Sequence, residues 1–244
     1  MRVLLLGGTA EARALATALH PNVELISSLA GRVPDPALPV GPVRIGGFGG
    51  VLGLCTWLRD ERIDAVVDAT HPFASTMTEH AAEACDQLRL PHLVLARPAW
   101  DPGAAEVVRS DVEAAQAVAT HRYRRVFLST GRSGVKAFAA SDAWFLIRAV
   151  TDPDPNTLPR HHHVLLSRGP YRYDDELALL RDHRIEALVT KNSGGDATRA
   201  KLDAAATLDI PVVMVARPPL PDGVTTAGSV QEAVDWIAAL ANSR

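Results

Sequence analysis

Three segments of this chain recur, in the same order, about 120 residues further along it. Each contains a short apolar run, and the third pair also shares the Ala-Arg-Pro that follows the run. The matched segments are residues 3–9 with 126–132, 63–68 with 185–190, and 90–98 with 210–218, at offsets of 120 to 123 residues. One such match would mean little, but three at nearly one offset indicate two halves of similar fold.

Short apolar runs rich in β-branched residues alternate with amphipathic segments along both halves. This alternation is typical of parallel strands joined by crossover helices. The predicted strands are residues 2–7, 23–27, 43–45, 64–69, 92–96, 125–129, 144–149, 163–167, 186–190 and 211–216. Two helices are marked by one apolar face each: Ala12, Leu15, Ala16 and Leu19, and Val51, Leu54, Cys55 and Leu58. We therefore predict an α/β protein of two Rossmann-like halves, each a mostly parallel sheet flanked by helices.

Proline and glycine residues between positions 98 and 106 interrupt both periodicities, so we place the domain boundary there. The expected domains are an N-terminal half at 1–100 and a C-terminal half at 101–244. Ser229 and Glu232 have the spacing of a capping box and predict a last helix, which is free to pack back on the first half. We expect the ligand cleft between the halves, at the carboxyl ends of their strands.

Composition excludes several classes of protein. The 244 residues are 47% hydrophobic, which is enough for a packed core without disulfides or metals. A formal net charge of −3 argues against nucleic acid or an anionic membrane as the main partner, because both require a broad basic surface. Cys55 and Cys85 form no CxxC or Cys/His cluster, and no apolar stretch has the length of a signal peptide or membrane span. We expect a soluble cytoplasmic protein.

A glycine turn closes the first predicted strand and opens the first helix. In Gly7-Gly8-Thr9-Ala10, backbone N–H groups and the helix dipole can face a phosphate. The turn lacks the full G-x-G-x-x-G pattern, so a tight turn that needs glycine only for backbone reasons remains the alternative.

The end of the second predicted strand carries a hydroxyl and a cation. In a dinucleotide-binding unit this position meets the adenosine ribose, and an acidic residue there selects NAD. Ser28 and Arg32 stand in its place and can pair with the 2′-phosphate of NADPH, although an exposed surface arginine is the plainer alternative. Gly47 lies among the four glycines of residues 46–50, which permit either close approach to a ligand or simple flexibility.

Further polar residues follow later strands. Thr70 and His71 come after the fourth strand, where the histidine can donate a proton or cap the next helix. Lys191, Asn192 and Gly195 lie in a glycine-rich segment that suits a polyanion or a cofactor amide better than a purely structural turn.

The three consecutive histidines at 161–163 resemble a metal-binding tract. Adjacent residues on a strand face opposite sides and cannot share one ion, so we assign no metal site and interpret the run as structural or solvent-facing. No arrangement of a nucleophile with a catalytic base stands out either.

Together these residues resemble the precorrin-6A reductase family over nearly the whole chain. The motifs that carry the resemblance are residues 6–12, 28–32, 68–74, 130–132, 168–170 and 190–195, with Lys201. Members of this family use NADPH, or NADH in the anaerobic branch, to reduce one carbon–carbon double bond of the precorrin macrocycle. The resemblance implies that Gly8, Thr9 and Ala10 hold the pyrophosphate, Ser28 and Arg32 the 2′-phosphate, and that Lys191, Asn192 and Gly195 border the nicotinamide. Metal-free and cobalt-containing substrates both stay open.

The implied substrate is a polycarboxylate tetrapyrrole, precorrin-6A, which is reduced to dihydro-precorrin-6 (precorrin-6B). Candidates for a basic lining are Arg132, Lys136, Arg168, Arg172, Lys191 and Arg199. Hydride addition requires protonation of a neighbouring carbon, for which His71, Lys191 and solvent are candidates. Two rival functions remain: an NADPH-dependent reductase of another small anionic substrate, and a nucleotide-sensing protein without turnover.

Overall fold

The computed structural model describes residues 1–31 and 36–243 and divides the chain into two compact units. Unit 1 is Met1–Pro98 with Pro218–Arg244, and unit 2 is Ala99–Arg217. Each unit contains one six-stranded sheet in which every pairing is parallel. The prediction of an α/β protein with two Rossmann-like halves is therefore confirmed. Within the described ranges, no helix combines the length and apolar character needed to cross a membrane.

The strands and helices follow the predicted alternation. The strands are β1 (Arg2–Leu6), β2 (Glu24–Leu29), β3 (Val43–Ile45), β4 (Ala65–Asp68), β5 (His92–Leu95), β6 (Glu106–Val108), β7 (Arg125–Ser129), β8 (Trp144–Ala149), β9 (His161–Leu166), β10 (Ala187–Lys191), β11 (Val212–Val215) and β12 (Thr225–Ala227). The helices are α1 (Ala10–Leu19), α2 (Gly50–Asp60), α3 (Ser75–Leu88), α4 (Asp111–Thr120), α5 (Tyr173–Asp182), α6 (Ala200–Thr207) and α7 (Val230–Asn242). All ten predicted strands are present, and the two very short strands β6 and β12 were not predicted.

Helices cover both faces of the sheet in unit 1, whose strand order is β12-β5-β4-β1-β2-β3. One core cluster joins this sheet to α1 and α7, and a second joins it to α2 and α3. The apolar face predicted for α1 is the buried one, as are Leu54, Cys55 and Leu58 of α2. A sheet covered on both faces explains why β4 is buried at all four of its residues.

The sheet of unit 2 has the equivalent order, β6-β11-β10-β7-β8-β9. Strands β7 to β11 therefore occupy the places that β1 to β5 occupy in unit 1, as the sequence repeat predicts. The halves differ between their first two strands, because α1 joins β1 to β2 whereas β7 and β8 are joined through a short 3-10 turn at Val135–Phe138.

The sixth strand of each sheet is exchanged between the halves, and this corrects the predicted domain at 101–244. β6 follows β5 along the chain but pairs with β11, and β12 follows β11 but pairs with β5. Residues 218–244 therefore return to unit 1, where α7 packs against α1. Pairing with β12 satisfies the backbone hydrogen-bonding groups at the edge of β5. The helix α7 buries its side chains Ala233 and Ile237.

A buried ion pair links β8 to α5 in unit 2. Arg148 donates from Nη1 and Nη2 to the two carboxylate oxygens of Glu176, at 2.8 and 2.6 Å. The side chains are only 7% and 2% exposed, and the guanidinium lies 4.0 Å from the centre of the Tyr171 ring. Two parallel bonds in this geometry offset part of the cost of removing both charges from water.

We expect Glu176→Gln to lower the free energy of unfolding by about 3–5 kcal/mol, because it leaves the Arg148 charge buried without a counter-charge. Chemical denaturation measures the change. The control is Asp203→Asn, which removes the partner of a half-exposed ion pair with Arg199 and should cost less than about 1 kcal/mol. Equal losses in the two variants would show that burial of the Arg148 pair has no special effect.

Candidate active site

The candidate residues of unit 1 lie at one edge of its sheet. Gly8 and Thr9 follow β1, Ser28 is near the end of β2, Gly47 follows β3, and Thr70 and His71 follow β4. These four strands are neighbours, and their carboxyl ends point the same way. The structure therefore brings the described candidate residues of this half to one edge.

The turn at Gly7-Gly8-Thr9-Ala10 is held by hydrogen bonds of Thr9, and the space next to Gly8 is open. Thr9 caps α1 by accepting the Ala12 N–H at 3.1 Å, and its hydroxyl donates to the carbonyl of Ala69 at 2.8 Å. Gly8 has a φ of +113°, and a Cβ there would meet no atom within 4 Å. The backbone at Gly8 thus adopts a conformation that favours glycine, and its surface has room for a ligand.

A carboxylate in the first turn of α1 is neutralised by an arginine. Glu11 accepts a hydrogen bond from Arg97 Nη1 at 2.6 Å. Unpaired, this carboxylate would repel a phosphate at the helix N-terminus. Arg97 belongs to the Ala-Arg-Pro segment that recurs in the second half, so one of the repeated arginines acts at this edge.

Arg44 is the cation that the structure places beside Ser28. The two residues are partners in the register of β2 and β3, and Arg44 Nη1 donates to Ser28 Oγ at 2.9 Å. The guanidinium also donates to the carbonyls of Gly46 and Gly47 and lies 3.8 Å from the centre of the Phe48 ring. Partial burial lowers the pKa of Arg44. Arg32, the cation predicted here, lies outside the described residues.

Thr70 and His71 lie in a tight turn at the end of β4. The Thr70 N–H donates to Asp68 Oδ1 at 2.9 Å, while the Thr78 hydroxyl donates to Asp68 Oδ2 at 2.6 Å. His71 is exposed, and its Nδ1 accepts the N–H of Phe73 at 3.3 Å. That bond leaves Nε2 as the nitrogen that carries the proton of the neutral ring.

In unit 2, Lys191 ends β10 next to an acidic residue that the sequence did not predict. Lys191 is 9% exposed, and its Nζ lies 3.3 Å from Oδ2 of Asp111, the first residue of α4. Two buried oxygens of this cluster, Asp111 Oδ1 and Thr130 Oγ1, have no hydrogen-bond partner in the described part of the chain. The cluster therefore holds a cation and two unsatisfied oxygens at the carboxyl edge of the sheet.

Asn192 is occupied by contacts inside unit 2. Its side chain accepts the Trp100 N–H at 2.8 Å and donates to the Trp100 carbonyl at 2.9 Å. Trp100 Nε1 in turn donates to the carbonyl of Gly195 at 2.9 Å. Arg217 donates to the carbonyls of Asn192 and Ser193, at 2.8 and 3.0 Å. The Asn192 amide thus orders the turn after β10, with its polar atoms already paired.

Lys201 is buried in the first turn of α6. It is 3% exposed, its Nζ donates to the carbonyl of Thr198, and that Nζ lies 4.5 Å from the centre of the Trp100 ring. Burial lowers the pKa of Lys201 to about 7, with the Glu176 carboxylate opposing that shift and the Arg148 charge adding to it.

The remaining basic candidates are exposed and follow the carboxyl ends of β7, β9 and β10. They are Arg132, Lys136, Arg168, Arg172 and Arg199. Arg132 Nη1 donates to the Thr151 hydroxyl at 3.2 Å, and Arg199 pairs with Asp203 at 3.3 Å. All five belong to unit 2, on the strand edge that also carries Lys191.

The three histidines at 161–163 are exposed on β9, and in the described ranges no group of three or more potential ligands could hold a metal ion.

Sequence analysis gave no site role to several residues that the structure places here, among them Arg44, Trp100, Asp111 and Glu11. Only the register of β2 and β3 places Arg44 beside Ser28, and a sequence does not give that register. Asp111 had a signal, because Ser110 and Glu113 repeat the spacing of Ser229 and Glu232 and mark a second capped helix.

Comparison with known proteins gives full-length matches. The family model described as "Precorrin-6x reductase CbiJ/CobK" matches residues 2–238. The chain is 70% identical to a precorrin-6A reductase of Mycobacterium tuberculosis, with 98% of each chain covered. It is 44% identical to a precorrin-6A reductase of Sinorhizobium sp., with 97% of this chain and 92% of the relative covered. A solved structure, "CobK precorrin-6A reductase", superposes with a TM-score of 0.90 at 35% identity, covering 98% of this chain and 97% of that one.

Gly134→Ala should destabilise the Lys191 cluster. The added Cβ would lie 2.4 Å from Thr130 Oγ1 and 2.7 Å from Asp111 Oδ1, so we expect a loss of about 1–3 kcal/mol in the free energy of unfolding. Gly228→Ala is the control, because its nearest neighbour is 3.7 Å away and its cost should stay within about 0.5 kcal/mol. If thermal unfolding of the two variants is alike, the packing around Gly134 is looser than the structure implies.

Stability should depend on the charge of Lys201. Its folded-state pKa of about 7 lies below the ordinary 10.5, so the unfolded chain binds the extra proton between these values. Wild-type stability relative to Lys201→Met should therefore be greatest above pH 10.5 and fall as the pH is lowered towards 7. Urea denaturation of both proteins from pH 6 to 10 measures the difference, and a difference that does not vary with pH would contradict the burial of the ammonium.

Proposed function

The chain belongs to the precorrin-6x reductase family, and from that premise we propose that it transfers a hydride from NADPH to one carbon–carbon double bond of precorrin-6A. The product is dihydro-precorrin-6 (precorrin-6B), an intermediate of cobalamin biosynthesis. The observation that carries the proposal is the match of sequence and fold over the full chain. The substrate partner is then a polycarboxylate tetrapyrrole, and cytoplasmic location stays a prediction from the sequence.

The candidate residues of unit 1 support the proposal of NADPH as the cofactor. We assign the pyrophosphate to Gly8, Thr9 and Ala10, because Gly8 offers an open backbone at the N-terminus of α1. The 2′-phosphate is assigned to Ser28 with Arg32, and Arg44 supports that assignment by bringing a guanidinium to the Ser28 hydroxyl.

The other cofactor candidates are assigned less directly. Gly47 and Thr70 follow strands on the same edge of unit 1 as Gly8. Asn192 and Gly195 remain candidates for the nicotinamide by their place in the turn after β10. The side chain of Asn192 is bonded to Trp100, its backbone N–H and carbonyl are bonded to Val215 and Arg217, and the Gly195 carbonyl is bonded to Trp100.

The substrate and proton roles fall to unit 2 and His71. Arg132, Lys136, Arg168, Arg172 and Arg199 are exposed and are assigned to the carboxylates of the macrocycle. Lys191 is assigned as a proton donor, because it ends β10 at the carboxyl edge of the sheet, where its Nζ lies 3.3 Å from Asp111 Oδ2. His71 is the alternative donor, as an exposed histidine in the turn after β4. NADPH supplies the hydride, and the protein supplies orientation and charge.

Paired titrations with NADPH and NADH test the cofactor. We expect the wild type to bind NADPH at least about tenfold more tightly, which is roughly 1.4 kcal/mol, because the 2′-phosphate meets cations that NADH cannot use. Arg32→Ala should erase most of this preference. Binding of neither nucleotide would contradict the placement of the cofactor in unit 1.

Arg44→Gln tests whether Arg44 contributes, beside Arg32, to the preference for NADPH. It removes the charge beside Ser28, so we expect NADPH to weaken more than NADH. The matched control is Arg59→Gln, which changes an arginine of α2 to which no cofactor role is assigned and should leave the preference unchanged. A preference that survives Arg44→Gln but not Arg32→Ala would assign the 2′-phosphate to Arg32 alone.

A further inference from the structure

The turn that follows β10 is held by side chains that bind its carbonyl groups. Arg217 donates to the carbonyls of Asn192 and Ser193, and Trp100 Nε1 donates to that of Gly195. Lys201 Nζ donates to the carbonyl of Thr198. Four carbonyls of one short segment are therefore bound by cations or an indole N–H, which fixes the direction of the backbone that carries the candidate residues.

Trp100 contacts three residues of this segment: Asn192, Gly195 and Lys201. It is 5% exposed, and the Asn192 amide bonds both its backbone N–H and its carbonyl. Its ring lies against the Lys201 ammonium, with Nζ 4.5 Å from the ring centre. A cation at this distance from the face of an indole is attracted by its π-electrons, more strongly when both are out of water.

Folding gives no reason for a lysine at position 201. Removing an ammonium from water costs free energy, and the lowered pKa of Lys201 reports that cost. A methionine of similar length would fill the space without it. Groups that weaken a fold and yet adjoin candidate functional residues are expected to serve the function.

We propose that Lys201 is a positioning residue for the reductase reaction, because its ammonium fixes Trp100 and the Thr198 carbonyl and so sets the conformation of the Lys191–Gly195 turn. The inference rests on the proposed function, which gives this turn its role at the nicotinamide and the macrocycle. Lys201 itself touches neither reactant in this assignment and acts through Trp100 and the turn.

The charge of Lys201 decides how firmly the turn is held. Glu176 on α5 favours the ammonium, Arg148 on β8 disfavours it, and the Trp100 ring faces it. As the pH rises through about 7, the ammonium loses its proton and with it the attraction to the indole. Binding that depends on the turn should weaken over the same pH range.

The first measurement follows the indole N–H of Trp100 by NMR in protein labelled with ¹⁵N-tryptophan. The chain has four tryptophans, and loss of one signal in Trp100→Phe assigns the resonance. We expect the wild-type signal to shift with a midpoint near pH 7, and the signal of Lys201→Met to stay constant. A wild-type signal that does not move between pH 6 and 9 would overturn the proposal.

The second measurement compares NADPH affinity and thermal stability in Lys201→Met and Leu202→Met. We expect Lys201→Met to raise the Kd about tenfold and to remove its rise with pH, while its melting temperature at pH 6.5 is no lower than that of the wild type. Leu202→Met preserves packing at the next position of α6 and should leave the Kd unchanged. Lys201→Arg keeps the charge and should bind more tightly than Lys201→Met.

The outcomes separate the two proposals. A wild type that binds no nucleotide overturns the proposed function, whereas wild-type binding that Lys201→Met leaves unchanged overturns the positioning role alone. A Kd that rises only together with a lower melting temperature, equally in Lys201→Met and Lys201→Arg, assigns Lys201 to stability and also overturns the positioning role.

Discussion

Each sheet is completed by a strand and a helix that follow the fifth strand of the other sheet along the chain. These are β12 and α7 for unit 1, and β6 and α4 for unit 2. Without β12, the edge of β5 would leave backbone groups unpaired, and without α7 the apolar face of α1 would be uncovered. The exchange also affects the candidate chemistry. β6 leads directly into α4, whose first residue is Asp111, and so the exchanged element of unit 2 brings the carboxylate that pairs with Lys191. The pairing of β6 with β11 thereby also places the Asp111 carboxylate beside Lys191.

Periodicity and repetition were enough to predict the main strands and the two-halved fold. Apolar runs of three or more residues, such as those of β4 and β11, are unambiguous because both faces of the sheet are covered. β6 and β12 are three residues long and mostly exposed, so they carry no such pattern. Their absence from the prediction led to a second domain drawn at 101–244 with the place of its last helix left open, although the capped helices that follow both strands repeat in the sequence.

The positions of the candidate residues could be predicted from the sequence where the order of strands alone determines them. Turns at strand ends put Gly8, Thr70 and Lys191 on the expected edges, since the order of a parallel sheet fixes where each strand ends. Side-chain partners were not predictable in the same way. Arg44 reaches Ser28 through strand register, and Trp100 lies in a segment whose prolines and glycines indicated only a boundary. Contacts between residues far apart in sequence depend on the whole fold, and no local pattern encodes them.

The exchanged strands also set an order of completion while the protein is being made. Unit 2 has all six of its strands once the ribosome has added Arg217, whereas unit 1 still lacks β12 and α7 at that moment. The half of the chain that is synthesised first is thus the half whose sheet receives its last strand later. Until Thr225 emerges, the nascent chain presents β5 as an uncovered parallel edge, the kind of surface that chaperones shield from other chains.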